Sequence, residues 1–348
     1  SHRSKASNNK TIVVIMGVCM NILVTGGAGY IGSHTVRALI HAGFTPIVVD
    51  NFSRGHRNAI PSDVKVIELD IANPKIINVL RDNNIKGIMH FAAHSQVGES
   101  MINPSIYYEN NVVGSYRLIE SARQAGVQHF VFSSTAAVYG EPEVVPIVET
   151  SKLQPTNVYG RTKLMIEDML HDYSSIYGST YVALRYFNAA GADESGEIGE
   201  DHSPETHLIP LVLETALGKR PHITVFGTDY DTIDGTCIRD YIHVTDLASA
   251  HVLAMNYLVG GGESRVFNLG SGNGFSVKDI IDTAKNVTGI NIPVEYGERR
   301  KGDPSTLIAS SDCIKDILGW NPKHSELSQI ISDAWRWHRL HPSGYDDI

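Results

Sequence analysis

Short apolar runs alternate with amphipathic stretches through the first half of the chain. Apolar runs of this length between helical patterns are typical of parallel strands that are covered on both faces. The predicted strands are Ile22–Val24, Pro46–Val49, Val64–Leu69, Gly87–Phe91, Phe130–Phe132 and Tyr181–Arg185. The predicted helices are Ser33–Ala42, Lys75–Asp82, Val112–Ala125 and Arg161–Tyr177. Because the crossovers are long enough for right-handed units, the pattern predicts an α/β fold with a doubly wound parallel sheet.

The pattern changes after Asn188. Residues 189–205 are rich in Gly, Ala, Asp and Glu and read as a loop. Beyond them, we predict helices at Leu208–Leu217, Val277–Thr288 and Leu327–His338. Short strands are predicted between them at Thr224–Phe226, Arg265–Leu269 and Pro293–Tyr296. We therefore expect a first domain over 20–188 and a smaller α/β lobe over 189–348, with 240–257 as a candidate for returning to the first domain.

Residues 1–19 carry an apolar run, Ile12–Cys19, which faintly resembles a signal peptide because two lysines precede it. The run is too short to span a bilayer. It continues directly into Met20, where a first strand would naturally begin. We interpret 1–19 as a disordered or non-native extension, and we expect a cytoplasmic protein without a membrane partner.

Composition narrows the function classes. Of the 348 residues, 42% are hydrophobic and 19% are charged, as in ordinary globular proteins. The net charge of −9 and the lack of a basic block argue against a nucleic-acid partner. Three widely spaced cysteines favour neither a disulfide framework nor a zinc site. The sixteen histidines show no metal-like spacing that we recognise, so we expect no metal.

A glycine-rich stretch follows the first predicted strand. Its spacing, Gly27-x-Gly29-x-x-Gly32, is that of a dinucleotide-binding turn, and Gly26 adds a second register. Glycines allow the tight turn and the close approach of backbone to a pyrophosphate, which would face the helix N-terminus. The stretch predicts a Rossmann-type sheet, although such turns also join strands to helices for purely structural reasons.

An aspartate closes the second predicted strand. Asp50 stands 21 residues after Gly29, where a carboxylate accepts both ribose hydroxyls of NAD and repels a 2′-phosphate. Arg54 and Arg57 lie close by in sequence and would soften that preference. The alternative is an ordinary strand-ending turn aspartate. Together with the glycines, Asp50 favours NAD as the cofactor.

Tyr159 and Lys163 stand four residues apart at a predicted helix start, so they project from one face. A nearby ammonium favours the phenolate form, which makes Tyr159 a candidate acid/base and Lys163 the group that lowers its pKa. Thr135 follows the strand Phe130–Phe132, where it would hydrogen-bond a reacting hydroxyl. The alternative is an amphipathic helix with an exposed lysine.

These motifs and others between Met20 and Asp346 resemble the extended short-chain dehydrogenase/reductases and, among them, the UDP-glucose (UDP-galactose) 4-epimerases. The resemblance is carried by Val24–Gly32, Val49–Asn51, His90–Ala93, Val97–Ser100, Tyr107–Asn111, Ser133–Gly140, Tyr159–Lys163, Arg185–Asn188, Asp234–Thr236, Arg239–Val244, Asn268–Gly270 and Arg299–Asp303.

The resemblance implies reversible 4-epimerisation of UDP-glucose and UDP-galactose, in galactose metabolism, by transient oxidation at C4. The implied catalytic residues are Tyr159, Lys163 and Thr135. Cofactor contacts are implied for Gly26, Gly29, Tyr30, Ile31, Gly32, Asp50, Asn51, Asp70, Ile71, Phe91, Ala92, Ala93, Asn110, Ser133, Tyr159, Lys163 and Tyr186. Contacts with the UDP-sugar are implied for Thr135, Tyr159, Asn188, His207, Leu208, Phe226, Arg239, Arg300 and Asp303.

Two positions depart from the pattern of some family members. Ser95 stands where some epimerases carry a lysine on the nicotinamide ribose. Leu307 replaces a bulky tyrosine that excludes N-acetylated sugars, so a 4-epimerase of UDP-N-acetylhexosamines stays open, as does one of UDP-pentoses (arabinose and xylose). Relatives that dehydrate nucleotide sugars carry an acid/base pair where this chain has Ala136 and Ala137.

A third reading is a non-catalytic NAD-binding protein, which is disfavoured because Thr135, Tyr159 and Lys163 are all present. The family also pairs two subunits through the helices predicted at Val112–Ala125 and Arg161–Tyr177. We therefore expect a homodimer on the strength of the resemblance, since amphipathicity alone is equally explained by a contact with the core.

Overall fold

The computed structural model describes residues 19–346, and its largest element is a seven-stranded sheet. The strands are β1 (Asn21–Thr25), β2 (Thr45–Asp50), β3 (Lys65–Glu68), β4 (Gly87–His90), β5 (His129–Ser133), β6 (Thr180–Arg185), β7 (Asn188–Ala190), β8 (Ile223–Phe226), β9 (Ile238–Arg239), β10 (Tyr241–His243), β11 (Arg265–Asn268), β12 (Phe275–Ser276), β13 (Val294–Gly297) and β14 (Thr306–Leu307). The α-helices are α1 (Tyr30–His41), α2 (Ile76–Asp82), α3 (Val97–Ile102), α4 (Pro104–Tyr107), α5 (Gly114–Gln124), α6 (Val158–Tyr177), α7 (Leu208–Ala216), α8 (Val244–Val259), α9 (Val277–Thr288), α10 (Asp312–Leu318) and α11 (Leu327–Leu340).

The main sheet has the order β11-β6-β5-β4-β1-β2-β3 and is parallel throughout. The strand order reverses between β1 and β4. In such sheets the crevice beyond the carboxyl ends of the strands at the reversal is where ligands bind. The predicted doubly wound, Rossmann-type fold is confirmed, and it places the ends of β1, β2, β4, β5 and β6 at one edge.

Both faces of this sheet are covered, as the continuous apolar strands require. On one face α1 and α8 pack together, and their Leu39 and Met255 are fully buried with Val24 and Val131. On the other face, the core contains residues of α2, α5 and α6. Burial of these side chains is the main favourable contribution to the fold, about 1.5–3 kcal/mol for each fully buried large aliphatic residue.

The strand predicted at Arg265–Leu269 does not belong to the second lobe, and that assignment was wrong. As β11 it pairs with β6 at the edge of the main sheet, with Phe267 fully buried. A short apolar run fixes a buried strand but not the sheet that it joins. The segment 240–257 contributes α8, which packs on α1 and on the strands β5 and β6. The chain therefore returns to the main sheet with α8 and β11, and α10 then packs on both of them.

The smaller lobe is built around a separate core. It contains α7, α9 and α11 and the parallel pair of β8 and β13, with Val212, Ile280 and Ile330 fully buried. A three-stranded sheet, β12-β9-β14, lies beside it and carries Arg239 and Leu307. No helix within residues 19–346 has both the length and the apolar character needed to cross a membrane.

The two helices that bear on the site differ from their predicted bounds. α6 begins at Val158 rather than Arg161, because the Asn157 side chain caps it by accepting from the Gly160 amide at 2.7 Å. The helix predicted at Val112–Ala125 is preceded by a π-helical turn, Tyr108–Val113, which contains Asn110. Such turns recur at functional sites. Because α6 begins at Val158, Tyr159 lies in the first turn of that helix.

Candidate active site

A single cleft of about 1560 Å³ runs along the carboxyl ends of the main-sheet strands and continues against the smaller lobe. Every residue that the family resemblance assigns to catalysis, to the cofactor or to the UDP-sugar lines it. On the main-sheet side these are Gly26, Gly29, Tyr30, Ile31, Gly32, Asp50, Asn51, Asp70, Ile71, Phe91, Ala92, Ala93, Asn110, Ser133, Thr135, Tyr159, Lys163 and Tyr186. On the lobe side they are Asn188, His207, Leu208, Phe226, Arg239, Arg300 and Asp303.

The glycine turn after β1 is too tightly packed for side chains. Gly26 has a φ of 70°, and a Cβ there would lie 2.7 Å from the Ala92 amide nitrogen. A Cβ on Gly32 would lie 2.3 Å from the Gly26 carbonyl oxygen. Both contacts are with backbone, which cannot move aside. The turn therefore presents bare backbone to the cleft.

The N-terminus of α1 follows this turn and is suited to binding an anion. Gly29 is its N-cap, no side chain caps the helix, and its first turn contains no acidic residue. Gly29, Tyr30, Ile31 and Gly32 line the cleft. The amide groups of the first helical turn and the positive end of the helix dipole are thus available to a ligand there. Such a backbone cradle fits a dinucleotide pyrophosphate.

Asp50 is buried at the end of β2 and accepts from two backbone amides, of Ala28 at 3.0 Å and of Phe52 at 2.8 Å. Burial raises the pKa of its carboxyl, and the two amides oppose the rise. The carboxylate therefore ties the glycine turn to the next loop as well as lining the cleft. Arg54 donates to both oxygens of Glu99 at 3.0 and 2.9 Å, so it is not free to favour a 2′-phosphate.

Three candidate catalytic side chains meet near the end of β5. The Tyr159 hydroxyl lies beside Thr135, whose Oγ1 accepts from the Ala137 amide at 3.0 Å. Lys163 Nζ donates to the Ser133 carbonyl at 2.9 Å and lies 5.9 Å from the centre of the Tyr159 ring. The Ser133 hydroxyl lies 2.6 Å from the Tyr186 hydroxyl. The Tyr159 phenol, the Lys163 amine and the hydroxyls of Thr135 and Ser133 are thus brought together in a buried setting.

The electrostatics of this group differ from the expected lowering of the Tyr159 pKa by Lys163. Burial raises the pKa of Tyr159 to about 12, and the hydrogen bond with Thr135 opposes that rise. Burial also lowers the pKa of Lys163 to about 7, against the attraction of Glu167. Loss of hydration disfavours the charged form of both groups. Tyr159 is thus a phenol at neutral pH, and added positive charge is what would ionise it.

The position of Tyr159 depends on contacts that the sequence reading missed. A Cβ on Gly160 would lie 2.7 Å from the Ala137 carbonyl, so the start of α6 packs directly on the turn that carries Thr135. The Tyr159 amide donates to Ser100 Oγ at 3.1 Å. The glycine directly after the tyrosine was the available signal, since glycine inside a helix usually has a packing reason.

A buried ion pair anchors α6 to the sheet and was also missed. Arg185, at the end of β6, donates to both oxygens of Glu167 at 2.9 and 2.8 Å and to the Tyr139 hydroxyl oxygen at 2.9 Å. Both ionic side chains are only 5% exposed. Removing one partner would strand a buried charge, at about 3–5 kcal/mol. The pair fixes the catalytic helix against β6.

The lobe side of the cleft is lined by cations and an aromatic ring. Arg239 Nη2 donates to Asp303 Oδ1 at 2.7 Å. The Arg300 guanidinium lies 4.2 Å from the centre of the Phe226 ring, which is 40% exposed. Guanidinium groups suit diphosphates because they donate in a planar fork. This end can therefore bind an anion beside a flat apolar surface.

The remaining lobe residues lie at element ends. Asn188 begins β7 and donates to the Asp240 carbonyl at 3.0 Å. His207 is the N-cap residue of α7, and Leu208 starts that helix. The His207 side chain is turned to Glu200, and with His202 and Glu205 these residues form a compact group that the sequence reading missed. The spacing Glu-x-His-x-x-Glu-x-His was the available signal.

The positions where this chain departs from its relatives are also in the cleft. Ser95 and the half-buried Leu307 both line it. Ala136 and Ala137 occupy the turn beyond Thr135 and carry no proton-transfer group, although Ala137 lines the cleft. The dehydratase-type acid/base pair is therefore missing at the place where the chemistry would need it.

Comparison with known proteins agrees with this geometry. Residues 22–270 match the family model described as the NAD dependent epimerase/dehydratase family. The UDP-glucose 4-epimerase of Halalkalibacterium halodurans is 54% identical, over 94% of this chain and 98% of that protein. A crystal structure of a UDP-glucose 4-epimerase is 52% identical with a TM-score of 0.92, over 94% of this chain and 99% of the other.

A second solved structure adds the cofactor. The UDP-glucose 4-epimerase from Brucella ovis, in complex with NAD, has a TM-score of 0.89 and 46% identity, over 91% of this chain and 97% of the other. These matches confirm the resemblance found in the sequence, and the backbone cradle at α1 fits their cofactor. The chain belongs to the NAD dependent epimerase/dehydratase family, and its cofactor is NAD.

Proposed function

We propose that the protein interconverts UDP-glucose and UDP-galactose by epimerisation at C4 with bound NAD. One observation carries the proposal: Thr135, Tyr159 and Lys163 lie in the same cleft as the glycine cradle and the two arginines. A reacting sugar carbon beside these side chains is thereby within reach of a nicotinamide, while its nucleotide extends toward the lobe. The similar proteins that are named UDP-glucose 4-epimerase support this assignment.

The cofactor would be held mainly by backbone. Its pyrophosphate fits the amides at Tyr30–Gly32, the adenosine ribose fits Asp50, and the adenine fits the edge formed by Asp70 and Ile71. Lys163 would hold the nicotinamide ribose. When bound, NAD supplies the redox chemistry by accepting a hydride from C4 and returning it to the opposite face. Tight retention is needed because the same cofactor is oxidised and reduced in every turnover.

Tyr159 is the proposed acid/base. It removes the proton of the 4-hydroxyl as the alcohol becomes a ketone, and it returns the proton when the alcohol re-forms. Because burial raises the pKa of this phenol to about 12, added positive charge has to favour the phenolate, and the cationic nicotinamide of bound NAD would supply it. Thr135 would bridge the sugar oxygen and the phenol. The 4-ketose must turn over between the two transfers.

The UDP group is the fixed handle in this scheme. Arg239 and Arg300 match the charge of the diphosphate, and Phe226, Asn188, His207 and Leu208 line the same end of the cleft. The sugar itself would make fewer contacts, since rotation of the 4-ketose requires freedom. Asp303 holds Arg239 in place through their ion pair until the anion competes for it.

The direct test is to incubate the purified protein with UDP-galactose, without added NAD, and to measure UDP-glucose. We expect conversion to an equilibrium mixture. Rapid 4,6-dehydration without epimerisation would instead refute the proposal, since it would require a proton-transfer group that Ala136 and Ala137 lack.

Tyr159→Phe should lower kcat by about 10²–10⁴-fold, the usual contribution of a general acid/base. NAD content and the affinity for UDP should stay unchanged, because the ring is kept and only the hydroxyl is removed. Tyr296→Phe is the matched control, since Tyr296 is 72% exposed on β13 and lies away from the cleft. Equal rates for Tyr159→Phe and the parent protein would overturn the acid/base assignment.

A wider substrate range is the second candidate function, because the half-buried Leu307 replaces the bulkier tyrosine. We expect UDP-N-acetylglucosamine to turn over as well, and Leu307→Tyr to remove that activity selectively. A panel of UDP-glucose, UDP-N-acetylglucosamine and UDP-xylose checks this. If the parent protein rejects UDP-N-acetylglucosamine, the cleft excludes it by other contacts, and the narrower specificity stands.

We also propose that the protein forms a homodimer in the cytoplasm. Apolar side chains on α5 and α6 are exposed, namely Tyr116 at 48%, Ile176 at 72% and Tyr177 at 55%. A second copy covering both helices would bury them. All three cysteines are free, as suits a reducing compartment. Light scattering should show a dimer that Ile176→Asp weakens, and a monomeric parent protein would contradict the proposal.

A further inference from the structure

A group of four side chains lies in the loop before α7, beside the nucleotide end of the cleft, and has no part in the proposed proton and hydride transfers. We call Glu200, His202, Glu205 and His207 the 200–207 cluster. One ligand-type atom from each lies within 4.8 Å of those from the other three. Both histidines turn Nδ1 toward the carboxylates, and each nitrogen lies within 4.0 Å of an oxygen of both glutamates.

The spacing of these donors suits a four-coordinate ion. A tetrahedral zinc ion about 2.1 Å from each donor spaces the donors by roughly 3.4 Å. His202 Nδ1 lies 3.2 Å from Glu200 Oε1 and 3.7 Å from Glu205 Oε2. His207 Nδ1 lies 4.0 Å from Glu205 Oε1 and makes a short contact with Glu200. The donors need only small shifts to surround an ion.

The charges of the cluster also call for a cation. The side chains of Glu200 and Glu205 are 5% and 6% exposed, and burying two carboxylates side by side is costly without compensation. Among residues 19–346, no lysine or arginine forms an ion pair with either of them. A divalent ion with two neutral imidazoles would make the site electrically neutral.

The donor set selects the kind of ion. Calcium and magnesium prefer oxygen ligands, whereas imidazole nitrogen together with carboxylate oxygen suits zinc and its transition-metal neighbours. Four protein donors fill a tetrahedral shell and leave no open position, which is typical of a structural site. The partly exposed His207, at 46%, leaves a route for the ion to enter.

The cluster lies where three parts of the molecule meet. The His202 ring packs edge-on against Tyr30 of α1, with centroids 6.3 Å apart. Trp337 of α11 donates to the Glu200 carbonyl at 3.2 Å. His207 stands directly before the first residue of α7. An ion here would fasten the loop between the cofactor turn and the helix that begins the nucleotide end of the cleft.

We propose that Glu200, His202, Glu205 and His207 bind one zinc ion, which holds this loop in place and takes no part in the reaction. The competing explanation is a pair of ion pairs, in which two protonated imidazoles neutralise the two carboxylates. The two explanations differ in whether the full-length protein binds metal, so the proposal does not depend on the identity of the substrate.

The experiment strips the full-length protein with a chelator, reloads it with zinc chloride, desalts it and measures zinc by mass spectrometry. We expect about one zinc per chain and a higher melting temperature after reloading. His202→Ala should weaken zinc binding by at least about tenfold, as ligand losses do, and its melting temperature should no longer respond to zinc. His171→Ala, at an exposed histidine of α6, should behave like the parent protein.

Further variants keep the test decisive. Glu205→Gln preserves the size of the side chain and should also lose zinc, whereas His202→Cys keeps a donor and should retain it. Cobalt in the reloaded parent protein should show the visible spectrum of a tetrahedral site. A parent protein that retains no zinc after desalting, or a folded His202→Ala or Glu205→Gln variant that retains as much as the parent, would overturn the proposal in favour of the two ion pairs.

Discussion

The two ends of the cleft differ in that backbone forms the main-sheet end and side chains form the lobe end. At the main-sheet end, Gly26 and Gly32 press backbone against backbone, and α1 offers amides without a side-chain cap. At the lobe end, Arg239, Arg300 and Phe226 present long side chains on separate elements. Backbone that is fixed by strand pairing suits a cofactor that stays. Side chains with their own partners suit a substrate that comes and goes.

The comparison predicts that small changes at the cofactor end have the largest effects. Gly32→Ala would place a Cβ 2.3 Å from the Gly26 carbonyl, so the turn would have to open and the amide cradle would be lost. We expect NAD binding to weaken by at least about tenfold and the protein to lose about 1–3 kcal/mol of stability. Released NAD per chain, measured by chromatography, checks the first effect.

Gly297→Ala is the control for that variant, because Gly297 lies outside the cleft and a Cβ there would make only ordinary contacts of 3.4 Å or more with side-chain carbons. It should retain NAD like the parent protein. If Gly32→Ala keeps its full NAD content, close backbone packing is not what holds the cofactor, and the contrast between the two ends disappears.

At the lobe end, Arg239→Ala should raise KM for the UDP-sugar by roughly 10–100-fold with little change in kcat, since a charge-assisted hydrogen bond contributes about 1.5–3 kcal/mol. The cofactor should remain bound. Initial-rate kinetics separate the two constants. Arg299→Ala removes a neighbouring Arg–Asp pair of the same 2.7 Å length outside the cleft, and its KM should not move. A fall in kcat alone would place Arg239 in the chemistry rather than in binding.

Acid should destabilise the main-sheet half through its buried histidines. Burial lowers the pKa of His90 to about 3 and that of His251 to about 4. Between pH 6.5 and 5 the unfolded chain binds protons that these folded residues do not, so the free energy of unfolding falls as the pH falls. Each residue should contribute about 2 kcal/mol over this interval.

Urea unfolding at pH 6.5 and pH 5 measures this effect. His251→Leu should flatten the pH dependence by about 2 kcal/mol, because its titration disappears and Nε2 of His251 is buried without a hydrogen-bond partner among residues 19–346. His171→Ala, at an exposed position, should leave the dependence unchanged. An unaltered slope in His251→Leu would show that burial of this imidazole does not govern acid stability.

The smallest effect is expected at Phe226. Phe226→Leu removes the ring on which Arg300 lies, at 4.2 Å, and a partly exposed cation–π contact contributes about 0.5–1 kcal/mol. KM should rise about 2–5-fold, and kcat should not change. Tyr296→Leu on the paired strand β13 is the control. A rise of the size expected for Arg239→Ala would mean that the ring itself, and not its contact with Arg300, dominates nucleotide binding.

The same contrast explains how much the sequence could predict. The cofactor turn is local: its glycines lie within seven residues between one strand and one helix, so spacing alone indicated it. The lobe residues come from positions between 188 and 303, and no period links them. They were named only through the family resemblance. The ion pair of Arg239 with Asp303 and the contact of Arg300 with Phe226 are visible only in the structure, because the fold brings β8, β9 and the Arg300 loop together.

Other features depended on distances that no local pattern encodes. The edge position of β11 is set by its pairing with β6, some eighty residues earlier. The preference of Lys163 for the Ser133 carbonyl depends on where β5 ends relative to α6. The 200–207 cluster lies in a stretch that reads as loop, and helical or strand periodicity gives no reason to examine it. Burial, rather than sequence spacing, sets the direction of the Tyr159 pKa.

The two returns of the chain to the main sheet have a consequence for folding. Helix α8 and strand β11 come after the lobe has begun, yet α8 covers α1 and β11 closes the sheet edge beside β6. A fragment that stops at residue 188 would expose the apolar surfaces that Met255 and Phe267 bury in the full chain. Contacts this distant in sequence slow folding. Residues 20–188 should therefore not fold into a stable domain without α8 and β11.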